Sequence, residues 1–169
     1  MKALRLTVAL FLGLFVLAQV RANESITAEG IVDASVAEVW AAWTTSSGLR
    51  AWLAPHADIE LRVGALMRAN YSPSGALGDA ATIENKILSF DPERMLSIQV
   101  VRAPADFPFG SEVLNMWTVL YFEATPEGKT RIKIVGLGFT AAEQSQRMKS
   151  FFDRGNAYTL AQLQKRFRR

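Results

Sequence analysis

Apolar and polar residues alternate with period two along most of this chain, and the alternation gives way to a helical period only near the end. Ile26, Ala28, Gly30 and Val32 share one face of a first predicted strand. Ser35 with Glu38 makes a capping box that opens a short helix through Trp43, and Thr45 to Leu53 forms a second, stopped by Pro55. Further strand patterns run over Leu61–Tyr71 (broken near Gly64), Ala80–Phe90, Met95–Arg102, Val113–Glu123 and Thr130–Phe139. Turn chemistry separates them: Ser72-Pro73-Ser74-Gly75, Asp91-Pro92-Glu93 and Pro126-Glu127-Gly128, with a longer proline-containing loop from Pro104 to Gly110.

From Thr140 to about Arg168 the period changes. Thr140 and Glu143 match a second capping box, and Met148, Phe152, Gly155, Thr159, Leu163 and Phe167 recur at three- and four-residue steps. Such a helix reaches ~40 Å, enough to lie along a whole small sheet. The fold class is therefore α+β: an antiparallel sheet of six to seven strands, two short helices after the first strand, and a long C-terminal helix on the sheet's open face. Alternation turns Ile83, Asn85 and Ile87 toward that helix and Thr82, Glu84 and Lys86 toward solvent; Met67, Ala69 and Tyr71 share a face. Between Trp117/Val119/Tyr121 and Met116/Leu120/Phe122 the pattern does not choose, because both rows are apolar.

The N-terminus adds a location. Residues 1–22 read as an export signal: Lys2 and Arg5, then an apolar stretch from Leu6 to Ala18, then Val20-Arg21-Ala22 as a cleavage site. The apolar stretch falls short of the ~20 residues that span a bilayer. The expected mature chain is one domain over residues 23–169, periplasmic or secreted, with no stable membrane insertion; an uncleaved anchor is the rival reading. No cysteine is present, which excludes a lipid-anchored lipoprotein and a disulfide framework alike. Of 19 basic residues the leader holds three (Lys2, Arg5, Arg21), and it holds none of the 16 acidic ones, so the mature chain is formally neutral. That balance argues against a nucleic-acid partner. Lys165, Arg166, Arg168 and Arg169 complement the helix dipole, with contact to anionic lipid as the alternative.

Several residue groups together carry a resemblance. Val39-Trp40, Trp43-Thr44, Gly48-Leu49 and Trp52-Leu53-Ala54-Pro55 are followed by Arg62-Val63-Gly64, by Ile87-Leu88 and by Pro92-Glu93-Arg94-Met95-Leu96. Trp117-Thr118-Val119, Phe151-Phe152, Gly155-Asn156, Leu160 and Leu163 complete the series. In that order the chain resembles the SRPBCC (START-like) superfamily, in the branch related to the heat-shock-protein-90 ATPase-activator homologues. The resemblance implies a helix-grip fold, in which a curved sheet wraps the C-terminal helix around a cavity for small apolar ligands. Some members of the superfamily catalyse cyclisation or lyase chemistry, so function does not transfer with fold. An exported chain departs from cytosolic co-chaperone relatives, and that role is set aside.

The chain's own chemistry narrows the field. One histidine, His56, and no cysteine cannot assemble a zinc site of the usual ligands; Asp58 and Glu60 read as solvated charges on a strand edge. No Gly-x-Ser-x-Gly elbow occurs, and His56, placed in a loop, is the sole imidazole available as a base. Gly136-x-Gly138-x-x-Ala141 matches a dinucleotide fingerprint, but the helix after it is terminal and no parallel strand follows, so no cofactor is expected. These glycines instead let the last strand bend and meet the helix closely. Asn23-Glu24-Ser25 and Asn70-Tyr71-Ser72 match the glycosylation acceptor motif.

The expected partner is a small apolar or amphipathic molecule held between sheet and helix. Met67, Tyr71, Asn85, Trp117, Met148, Phe152 and Asn156 are the candidate ligand-binding residues, since methionine and aromatic side chains accommodate apolar guests and the polar ones orient them. Trp43, Trp52, Phe107 and Phe109 are candidates for the cavity mouth. Core packing would call for the same residue types. A glycine at position 155, mid-helix, reads either as close packing against the sheet or as room for a ligand. The alternatives in function are a cyclase- or lyase-type enzyme, with Asn85 and Tyr71 polarising a carbonyl, and an envelope interaction module without a ligand. No catalytic residue is assigned.

Overall fold

The computed structural model describes residues 24–168, so the leader, Asn23 and Arg169 lie outside the described residues. Strand β1 (Glu24–Val32) leads into α1 (Val36–Thr44) and the short α2 (Ser46–Arg50). Six strands follow: β2 (His56–Ile59), β3 (Leu66–Asn70), β4 (Ile83–Asp91), β5 (Met95–Arg102), β6 (Trp117–Ala124) and β7 (Thr130–Phe139). Helix α3 (Glu143–Phe167) ends the fold. The strands form one curved antiparallel sheet in the order β1-β7-β6-β5-β4-β3-β2, a meander from β2 to β7 closed by β1. This is the expected α+β helix-grip class.

Helix starts show which local signals operate. At α1 the capping box is complete: Ser35 Oγ accepts from Glu38 N at 3.4 Å, and Ser35 N donates to Glu38 Oε2 at 2.9 Å. Helix α2 is shorter than expected and is capped by Thr45, whose Oγ1 accepts from Gly48 N at 2.9 Å. The box expected at Thr140 does not form. Ala142 takes the N-cap position without a side-chain bond, and the Thr140 backbone N–H donates instead to Ser145 Oγ at 2.9 Å.

Three strand expectations change as well. His56 is not in a loop: it opens edge strand β2, paired opposite Asn70, because Pro55 ends the helical turn and the chain then pairs with β3. Leu61 to Ala65 is a turn rather than a strand. Val113 sits in a 3-10 helix, Gly110–Asn115, so β6 begins at Trp117. Thr82, expected to face solvent, is wholly buried, since it precedes β4 and its Oγ1 donates to Ala76 O at 3.2 Å and accepts from Gly78 N at 2.9 Å. Asn70 is also wholly buried, its Nδ2 donating to Asp79 Oδ1 and Ala76 O, so this amide cannot carry a glycan in the folded chain.

Helix α3 lies across the sheet with Met148, Leu160 and Leu163 buried and Phe152 and Phe167 half-buried, as the stripe predicts. It is pinned to β1 at both ends: Lys149 Nζ and Gln146 Nε2 donate to Glu24 Oε2 at 2.7 and 2.9 Å, and Gln164 Nε2 donates to Ile31 O at 2.9 Å. Gly138 has φ +93°, and a Cβ there would stand 2.2 Å from Asn115 O. Gly138 thus serves packing against the 3-10 helix, and a Cβ at Gly136 would meet Ile26 of β1, so the pair does not meet the terminal helix as expected. The buried core falls into two clusters, a larger one around Leu49, Ile87, Leu96, Leu120, Ile132 and Leu163, and a smaller one around Phe109, Val113, Met116, Phe139 and Met148.

Candidate functional site

Residues of both clusters face a cavity of about 310 Å³ beneath α3. Its floor is the inner row of the sheet: Met67 of β3, Ile83 and Asn85 of β4, Ile98 and Val100 of β5, Thr118 and Leu120 of β6, and Ile134 of β7. Its roof is Phe151, Phe152, Asn156 and Thr159 of α3, four residues on one side of the helix by their spacing. Trp43 and Leu53 close the end near the short helices, while Phe107, Val113 and Met116 close the other. The size suits a small organic molecule.

Alternation along β4 turns Asn85 inward beside Ile83, as the sequence predicts. Between β4 and β5 the register shifts at Glu84/Asn85: Glu84 pairs with Arg102 but Asn85 with Val100. A bulge of this kind bends a strand and re-aims its side chains. Glu84 lies outside, bridged to Arg102 at 3.2 Å, and Asn85 on the cavity wall.

Two polar atoms of wall residues have no protein partner. Trp43 Nε1 and Asn156 Nδ2 are buried donors without an acceptor, and Trp43 is only 5% exposed. A donor left unsatisfied in a dry interior costs ~1–3 kcal/mol, so water or a ligand belongs with each. Tyr71 stands at the rim, 55% exposed as a residue. The protein around its hydroxyl desolvates it and holds the phenol above its ordinary pKa, so it is a neutral donor and acceptor at physiological pH. Among the described lining residues Tyr71 is the one ionisable side chain.

Four rings seal the end opposite the tryptophans. Phe107 and Phe109 of the 104–110 loop lie 5.9 and 5.4 Å from Phe151, and Phe151 lies 5.3 Å from Phe152, mostly edge to face. At the other end Trp43 and Trp52 meet at 4.9 Å, and Trp52 Nε1 donates to Ala42 O at 3.1 Å.

Seven of the eleven sequence-predicted residues come together on this wall: Met67, Tyr71, Asn85, Phe152, Asn156, Trp43 and Phe107. The other four do not. Trp117 is on the face of β6 opposite Thr118 and Leu120, which decides the register that the apolar pattern left open. Met148 is fully buried in the smaller core cluster with Phe109, and Trp52 packs behind Trp43. Thr118, Thr159 and Phe151 were missed. Thr159 belongs to the predicted α3 stripe and was readable from it; Thr118 required the register of β6.

Residues 33–168 match the family described as Activator of Hsp90 ATPase homolog 1-like protein. No curated protein matches the chain. The fold is similar to the solution structure of the Aha1 dimer from Colwellia psychrerythraea, at 16% identity and a TM-score of 0.65, over 85% of this chain and 96% of that one. It is similar to protein MLL2253 from Mesorhizobium loti, at 18% identity and a TM-score of 0.67, over 85% and 96%. CalU16 from Micromonospora echinospora is 22% identical with a TM-score of 0.60, over 85% and 75%. These likenesses establish the architecture.

Proposed function

The chain belongs to the Activator of Hsp90 ATPase homolog 1-like family, and from that premise we propose that it is an exported protein holding a small apolar or amphipathic molecule, non-covalently, between sheet and α3. The observation that carries this reading is the cavity itself, about 310 Å³ of apolar wall with Asn85, Tyr71 and Asn156 at its polar points. Filling it with a matched guest removes apolar surface from water, while the polar groups fix orientation. An exported chain would not meet a cytosolic chaperone, so the activation role in the family's description is left aside. Among the described residues no helix is long and apolar enough to cross a membrane.

Native mass spectrometry of gently purified protein tests the reading. A retained or acquired lipid-like mass, lost when Met67→Trp fills the cavity, is the expected result. Protein that carries nothing and takes up no apolar compound offered to it would overturn it. The N-terminal sequence of protein recovered outside the cytoplasm tests export, with a start near Asn23 expected.

The enzymatic alternative has one foothold, the Tyr71 hydroxyl, because no carboxylate, imidazole or amine is among the described residues of the wall. A Tyr71→Phe protein that binds normally but loses a measured turnover would favour it.

A further inference from the structure

The described wall carries no charged side chain, and its two buried unpartnered atoms are both hydrogen-bond donors. None of its described residues is Asp, Glu, Lys, Arg or His. A carboxylate or ammonium lodged inside would therefore be desolvated without a counter-charge, a far larger cost than that of a neutral polar group. The buried orphans, by contrast, are both donors: Trp43 Nε1 on α1 and Asn156 Nδ2 on α3. Indole nitrogen cannot accept a hydrogen bond, so its partner must be an acceptor. Thr118 and Thr159 add hydroxyls to the wall.

Resting on the reading that this cavity binds an apolar molecule, we propose that its ligand is uncharged and bears acceptor oxygens of carbonyl type, which accept from Trp43 Nε1–H and Asn156 Nδ2–H. A carbonyl oxygen brings these donors the acceptor they lack, whereas a hydrocarbon leaves them as they are. Discrimination thus comes from the missing counter-charge for an ion and from the acceptor that a ketone brings.

Three probes of similar size separate the terms: butyrophenone (ketone), butylbenzene (hydrocarbon) and 4-phenylbutyrate (carboxylate), titrated calorimetrically into the purified protein at pH 7. Butyrophenone is expected to bind about tenfold tighter than either of the others, the equivalent of one well-made hydrogen bond. Trp43→Phe, which keeps an aromatic ring and removes the N–H, and Asn156→Leu should each weaken the ketone about three- to tenfold and leave butylbenzene within about twofold. Asn156→Leu raises helix propensity and keeps the test open should Trp43→Phe fail to fold. Equal binding of ketone and hydrocarbon, or equal losses for both in the variants, would overturn the proposal while leaving the binding function intact. Tighter binding of the carboxylate would overturn it too. Binding of none of the three would remove the binding function, and the proposal with it.

Discussion

Asp79 shows how one carboxylate organises a segment that the hydrophobic pattern says nothing about. Its oxygens accept from Ala76 N, Ala81 N and Asn70 Nδ2 at 2.9, 2.9 and 2.7 Å, tying the loop between β3 and β4 into a fixed shape next to the Tyr71 rim. The hydrogen bond from Ala76 N, followed by those from Ala81, Asn70 and Thr82, holds its pKa below the usual 3.8. A depressed folded-state pKa contributes stability that is present above 3.8 and is lost as pH falls through the folded value. The amide resonances of Ala76 and Ala81 should therefore titrate together with a midpoint below 3.8 and stop titrating in Asp79→Asn. A midpoint at or above 3.8 would contradict the assignment. No sequence motif announced this: the acceptors and donors are near in the chain, but only the buried Asn70 makes Asp79 their common centre.

Among the elements, α3 was the most legible and carries the clearest surprise. Its stripe placed Phe152, Thr159 and Leu163 correctly, yet its expected cap at Thr140 lost to a local turn held by Ser145. Gly155 was read as room for close packing or for a ligand, but a Cβ there would touch nothing within 4 Å, and the residue is not part of the cavity wall. With neither reason in force, the glycine only weakens the helix. Gly155→Ala should stabilise the protein by about 1 kcal/mol, seen as a higher melting temperature. A fall in that temperature would reveal a contact the geometry does not contain. For strand β6 the sequence was silent for a plain reason: when both faces are apolar, a period of two exists in either phase, and the neighbouring strands decide which row faces the helix. The register with β5 and β7 turned Leu120 and Phe122 inward and left Tyr121 47% exposed.

At the scale of the whole molecule, sheet and helix share one buried interior. Leu163 and Met148 are both wholly enclosed, in different clusters on either side of the cavity. Leu163→Ala should cost about 2–5 kcal/mol, measured by denaturant unfolding, with helix and sheet still lost in one transition. A separate early loss of helical signal would mean that α3 is a detachable lid. The hollow itself is a local shortfall of packing: protein interiors are otherwise close-packed, and this one tolerates a gap between two filled cores.

Composition and periodicity alone determined the class of the fold, most of its strands and helices, and the side of α3 that turns inward, because burial of apolar surface acts on patterns only a few residues long. Tertiary structure decided the rest. Which row of β6 faces in, and that two donors end without partners, are properties of strands paired and a helix laid across them. They depend on distances between segments far apart in the chain, and no short-range pattern encodes such distances.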